Sequence, residues 1–198
     1  MRSNRLTAAV AAALLVMAFG AAQAADTFVI DSSHSSVGFS VKHMMISNVK
    51  GTFDNFEGTI MYDPDNPAGS SVEFSLEVAS IDTRNEKRDD HLRSDEFFDA
   101  ANHKHITFKS SKVSKKGDKW IAAGDLTIRG VTKPVEIAFT VNGPIQNPWG
   151  QTVMGFDITP LVIDRTEYGL NWSKTLEAGG VVVGDDVTLD LQIEAAKQ

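Results

Sequence analysis

Cysteine is absent from all 198 residues. That excludes disulfides and thiolate-ligated metal, so stability has to come from packing alone. It also excludes a lipid anchor on a processed N-terminal cysteine. Basic charge is short as well: 19 Lys and Arg stand against 26 Asp and Glu, a net charge of −7. A nucleic-acid partner rewards clustered Lys and Arg and is argued against by this balance. There is no internal repeat, no low-complexity tract and, beyond the first residues, no long apolar run. Of the aromatic residues, 11 are Phe against 2 Tyr and 3 Trp, so the aromatic surface is overwhelmingly apolar.

The one apolar run lies at the start. Arg2 and Arg5 precede an Ala/Leu/Val stretch from Leu6 to Gly20, and Ala22-Gln23-Ala24 offers small residues for cleavage. This order predicts a signal peptide over residues 1–24, and the run is too short to span a bilayer comfortably. The expected mature chain is residues 25–198, one exported domain. Removing two arginines leaves 17 basic against 26 acidic residues, a net charge of −9.

Beyond the leader, the chain alternates with period two. Val37, Phe39 and Val41 face one way, and Gly38, Ser40 and Lys42 the other. Val72, Phe74, Leu76 and Val78 repeat the pattern, as do Trp120, Ala122, Gly124, Leu126 and Ile128. Such alternation puts one face of a strand on a core and the other in water. Arg129-Gly130 suits a tight hairpin leading into Val135, Ile137, Phe139 and Val141. About eight such strands predict an all-β fold, an antiparallel sandwich or a closed barrel. Eight strands close around enough space for one small ligand.

A charged stretch from Thr83 to Lys109 interrupts the strands. Thr83 and Glu86 have capping-box spacing, which predicts a helix starting near Arg84 within an insertion over about residues 84–99. Leu92 is the lone apolar residue of its interior, so the helix is not expected to be buried. Phe97 and Phe98 predict a second short helical turn. A long insertion in a compact β domain is usually functional, and this one is expected to cover or rim a pocket.

Six fragments, in order, carry a resemblance: DSSHSSVGFSVKH near residue 31, GTFDNFEG at 51–58, DDHLRSDEFFD at 89–99, ITFKSS at 106–111, GDLTIRGVTKPV at 124–135 and IDRTEYGL at 163–170. Together they resemble the YceI-like polyisoprenoid-binding proteins over essentially the whole mature chain. The resemblance implies an extended lipocalin-like antiparallel barrel, eight-stranded by the count above, in a periplasmic protein holding a polyisoprenoid, an isoprenoid quinone or a similar amphiphile for transport, storage or sequestration. One departure is visible: His105 stands where the family usually has Pro before the Ile-Thr-Phe strand.

The candidate ligand-binding residues are Phe39, Val41, Phe53, Phe74, Leu76, Phe97, Phe98, Phe108, Phe139 and Phe156. Arg84, Arg88, His91 and Arg93 are the candidates for the pocket mouth. The expected partner is a long-chain isoprenoid or fatty-acid-like lipid, with transient membrane contact and homodimerisation left open. No cofactor is expected. A closed, ligand-free structural or stress-response barrel is the rival reading, and a periplasmic metal-binding or hydrolytic protein ranks third. His103 and His105 on one strand, with His91, Asp89 and Asp90, would suit zinc or copper, but solvated histidines are the simpler expectation. The serines near His34 lack an obvious acid partner, no Gly-x-Ser-x-Gly is present, and an enzyme is not expected. Arg165 is expected to pair with Asp164.

Overall fold

The computed structural model describes residues 25–177 and 179–198; the leader expected over residues 1–24 lies outside the described residues. The strands are β1 (Asp26–Ile30), β2 (Ser36–His43), β3 (Ser47–Phe53), β4 (Phe56–Tyr62), β5 (Ser71–Glu77) and β6 (Ile81–Asp82). After helix α1 (Glu86–Arg93) come β7 (His105–Lys116), β8 (Lys119–Ile128), β9 (Val131–Gln146), β10 (Thr152–Ile158), β11 (Leu161–Asp164) and β12 (Val183–Lys197).

All pairings are antiparallel. The order β1-β4-β5-β7-β8-β9-β10-β12 closes on itself through β1–β12, where Phe28 lies opposite Lys197, giving the eight-stranded barrel. β12 is long enough to serve two neighbourhoods. Its C-terminal half pairs with β10 and β1, and its N-terminal half with β2 and β11. β2 then carries β3, and β3 carries the two-residue β6. One end of the barrel is therefore walled by β11, β12, β2, β3 and β6, and α1 packs against β6 there.

Period two decides burial on β8. Trp120, Ala122, Leu126 and Ile128 on β8 are all buried, and Gly124 shares their face. A Cβ at Gly124 would collide with the Lys109 carbonyl oxygen, which is why glycine holds this place beside the irregularity between Ser110 and Lys112. Arg129 and Gly130 have φ of 48° and 75° and make the expected hairpin, with Ile128 opposite Val131.

The insertion departs from expectation at its start. The helix begins at Glu86 and its cap is Asn85, whose side chain accepts the Arg88 N–H at 3.0 Å. Thr83 is not free to cap, because its N–H and hydroxyl both donate to Asp89 Oδ1, and Arg84 is left-handed at φ 62°. Thr83 and Asp89 are both buried, so the helix is pinned to the barrel through a polar contact rather than an apolar stripe. Phe97 and Phe98 follow in successive hydrogen-bonded turns, not a second helix.

Candidate ligand cavity

Two apolar spaces lie inside the barrel. The larger, about 250 Å³, is bounded by β2, β3, β12, α1 and the turns after it; the smaller, about 100 Å³, lies among β4, β5, β7, β8, β9, β10 and β12. Successive inward positions pass from one to the other. Ile106 lines the larger and Phe108 the smaller; Leu189 lines the larger and Leu191 the smaller. A two-residue step along a strand is about 6.6 Å, so the two spaces follow one another along the barrel.

Nine of the ten aromatic and aliphatic candidates divide between them. Phe39, Val41, Phe53, Phe97 and Phe98 line the larger cavity, and Phe74, Phe108, Phe139 and Phe156 the smaller. Leu76 lines neither; it is buried opposite Ile106. Aromatic contacts tie the insertion to the wall: Phe53 meets Phe98 edge-on at 6.0 Å and Phe39 at 5.6 Å.

Among the mouth candidates, Arg88 and His91 line the larger cavity, while Arg84 and Arg93 do not. Arg84 is exposed. Arg93 donates to the carbonyls of Ala79 (2.9 Å) and Ile81 (2.8 Å), clamping α1 to the β5–β6 segment. Arg88 donates Nε to Thr83 Oγ1 at 2.7 Å and Nη2 to the Thr83 carbonyl at 2.8 Å. His91 sits edge-on against Phe97 and Trp172, with centroids 5.0 and 4.8 Å away, and its Nε2 is 2.7 Å from Glu96.

Sequence reasoning missed Trp172, Leu170, Val182, Val187, Leu189 and the wall position of Arg165. Val187 and Leu189 carried a signal, since they share the alternation of β12. The others come from irregular chain, where no periodicity marks a face. Arg165 is the largest correction. Its ion pair is with Asp185 at 3.2 Å, not with Asp164, and its guanidinium also donates to the carbonyls of Leu170, Val183 and Gly184. Asp164 instead caps the following 3-10 turn (Arg165–Tyr168) by accepting the Thr166 N–H at 2.8 Å. A hydrogen bond from the Thr166 hydroxyl, and then the one from its N–H, holds the Asp164 carboxyl below its usual range. Adjacent residues at a strand end point opposite ways, so Asp164 is exposed while Arg165 is buried. Burial lowers the pKa of Arg165, opposed by Asp185 and then Asp164.

The histidines that a metal reading would need together are separate. His105 opens β7 opposite Glu77, with Nδ1 3.4 Å from Ser75 Oγ. His103 precedes the strand and lies over Gly130, while His91 faces Glu96. His34, by contrast, does have an acid partner. Its Nδ1 is 2.8 Å from Asp31, and Glu194 approaches the same pair. Ser33 Oγ lies 3.2 Å from the same ring nitrogen and 2.6 Å from Asp31. A catalytic relay uses opposite ring nitrogens for acid and serine, so this arrangement is an exposed loop lock.

The lock has a pH signature. Hydrogen bonds from Ser33 and then His34 pull the Asp31 carboxyl down to about 2, and Asp31 holds the His34 imidazole above its ordinary value. The Asp31 contribution is complete above about pH 4 and disappears toward pH 2; that of His34 is complete below about pH 6.5 and disappears as the pH rises through its raised value. Thermal denaturation of parent and His34→Ala across this range is expected to show the largest difference between about pH 4 and 6.5. A difference independent of pH would remove the ion pair from the account.

An antiparallel barrel with an apolar interior, roofed at one end by a pinned helix, defines a lipocalin-like barrel fold. The YceI-like domain family matches residues 28–195, and the chain belongs to that family. A UPF0312 protein of Staphylococcus aureus is 38% identical over 168 residues, 84% of this chain and 95% of the relative. A UPF0312 protein of Photorhabdus laumondii is 37% identical over 157 residues, covering 79% and 82%. Among solved structures, Burkholderia cenocepacia BcnA superposes with a TM-score of 0.73 at 25% identity, over 83% of this chain and 98% of BcnA. The Campylobacter jejuni YCEI protein gives 0.66 at 32% identity, over 85% and 96%. A polyisoprenoid-binding domain from Saccharophagus degradans shares the fold at a TM-score of 0.65 and 18% identity, over 88% and 99%.

Proposed function

We propose that this protein holds one long-chain amphiphilic lipid, isoprenoid or fatty-acyl in its tail, for carriage, storage or sequestration in the periplasm. The observation that carries the proposal is the run of apolar space through two consecutive levels of a closed barrel. A sealed core, the rival reading, would fill those levels with side chains. The binding described for the Saccharophagus domain points to the same ligand class; the likeness itself carries the fold.

The walls also suit a polar head. Lys42, His43, Arg88, His91 and Arg165 border the larger cavity and, among the described residues, no carboxylate does, in a chain with an excess of acid. Arg88 Nη1 has no protein partner among the described residues. An anionic or hydrogen-bond-accepting head at this level would place the tail toward Phe74 and Phe156. This arrangement binds and does not require chemistry, so the protein is read as a binding protein rather than an enzyme.

The energetics favour exchange. At about 0.8 kcal/mol per buried carbon, a tail of about forty carbons would gain on the order of 30 kcal/mol on leaving water. That exceeds the ceiling of about 18–21 kcal/mol for non-covalent complexes, so ordering and partial burial must offset much of it. A bilayer offers the same tail similar burial, which brings transfer close to balance. Native followed by denaturing mass spectrometry of detergent-free protein from the periplasm is expected to release a lipid. Isoprene mass spacing would identify the tail class. A protein that stays empty after incubation with membrane lipid would return the closed barrel.

A further inference from the structure

The hairpin that supplies one wall of the larger cavity ends in an apolar tip. Val41 and His43 on β2 and Val49 on β3 line the cavity. Between them, Met44, Met45 and Ile46 are 40%, 54% and 82% exposed. Met44 and Met45 have φ of 49° and 64°, the left-handed region that bulky side chains rarely occupy. A tip needing only to turn would be better served by Asn or Gly. This one accepts backbone strain and apolar exposure together, beside the partly exposed lining residues His43, Trp172 and Val182.

We infer that Met44, Met45 and Ile46 enter the surface of a lipid bilayer and set the cavity mouth against it, so that lipid passes between membrane and barrel without crossing water. The purpose rests on the lipid-holding reading; the docking itself does not. A bilayer suits the tip better than a second copy of the chain. Stable protein interfaces need about 1,000 Å² or more of matched surface, and a narrow three-residue projection does not supply it. Interfacial insertion reaches only about 5–10 Å, which such a tip can fill. Methionine side chains are unbranched and adaptable, a property suited to disordered acyl chains. Lys42 and Lys50 on the same hairpin and Lys174 on the adjoining loop are exposed and suit anionic headgroups, with Glu177 the nearby opposing charge on that loop. The opposite pole carries its own exposed Trp149, at the β9–β10 turn, but the larger cavity does not reach it.

The absence of cysteine allows a direct test. Ile46→Cys carrying an environment-sensitive fluorophore is mixed with vesicles of phosphatidylethanolamine and phosphatidylglycerol. The label is expected to brighten, shift to the blue and be quenched by spin-labelled lipid. The same label on Asp118→Cys, at the β7–β8 turn, and on Trp149→Cys is expected to stay unchanged. In the unlabelled chain, Ile46→Asp is expected to lower co-flotation with vesicles about ten-fold or more, since a carboxylate at an apolar interface is costly. An unresponsive Ile46→Cys label, a response at Trp149→Cys instead, or a dimer that Ile46→Asp converts to monomer would each overturn the inference. Docking by a protein that mass spectrometry finds empty would uphold it and remove the carrier reading; a loaded protein with an unresponsive tip would do the reverse.

Discussion

Leu189→Trp is expected to empty the barrel. Leu189 lies on β12 between Phe39 of β2 and Leu161 of β11, and its side chain lines the larger cavity. An indole there projects into existing space, so the cost to folding stays within the roughly 1–3 kcal/mol of overpacking or below it. The cost to cargo is greater, because the tail has to pass that level to reach Phe108 and Phe156. Lipid recovered per mole of protein by mass spectrometry should fall about ten-fold or more, equivalent to about 1.4 kcal/mol per decade. Undiminished cargo in a variant of unchanged circular dichroism would show that lipid does not occupy this cavity.

Arg165→Met is expected to destabilise the cavity end of the fold by about 3 kcal/mol, because the carbonyls gathered by a buried guanidinium lose their charged donor while Asp185 stays solvated. The guanidinium gathers the carbonyls of Leu170, Val183 and Gly184 with the Asp185 carboxylate, joining the turn after β11 to the start of β12. Methionine fills a similar volume and offers no donor, leaving those carbonyls without it. For a domain of this size the loss corresponds to a fall in Tm on the order of 10 °C. Arg165→Lys should recover little of it, because one ammonium cannot serve donors fixed in several directions. A Met variant melting within about 2 °C of the parent would mean that solvent replaces the network at negligible cost.

Arg165 also marks where the sequence stops informing. Its neighbour Asp164 is the obvious partner on paper, yet Asp185 is the partner in space because β11 lies beside β12. A lone arginine in the segment at 163–170 gives no sign that the carbonyls of Leu170, Val183 and Gly184 converge on it. The helix start misled for a related reason. Thr83 and Glu86 have the spacing of a cap, but Thr83 is committed to Asp89, a buried contact that spacing alone does not reveal.

The sequence by itself determined most of the strands, their inward faces and the presence of a polar insertion over an apolar interior; β1, β6 and β11 are too short to show alternation of their own. Alternation is a property of a single strand: once Trp120, Ala122, Leu126 and Ile128 share a parity, burial of one face is the consequence. The six fragments likewise placed the chain in its family. Only the tertiary structure decided which phenylalanines line which cavity. Parity states the face a residue takes but not its height in the barrel, and height is set by register between strands. Phe39 lies opposite Gly51 and Leu189, while Phe74 lies opposite Phe108, and those pairings put the two rings at different levels. The roof was decided in the same way, by Arg93 and Phe98 reaching Ala79, Ile81 and Phe53 and by Thr83 turning onto Asp89 instead of capping the helix.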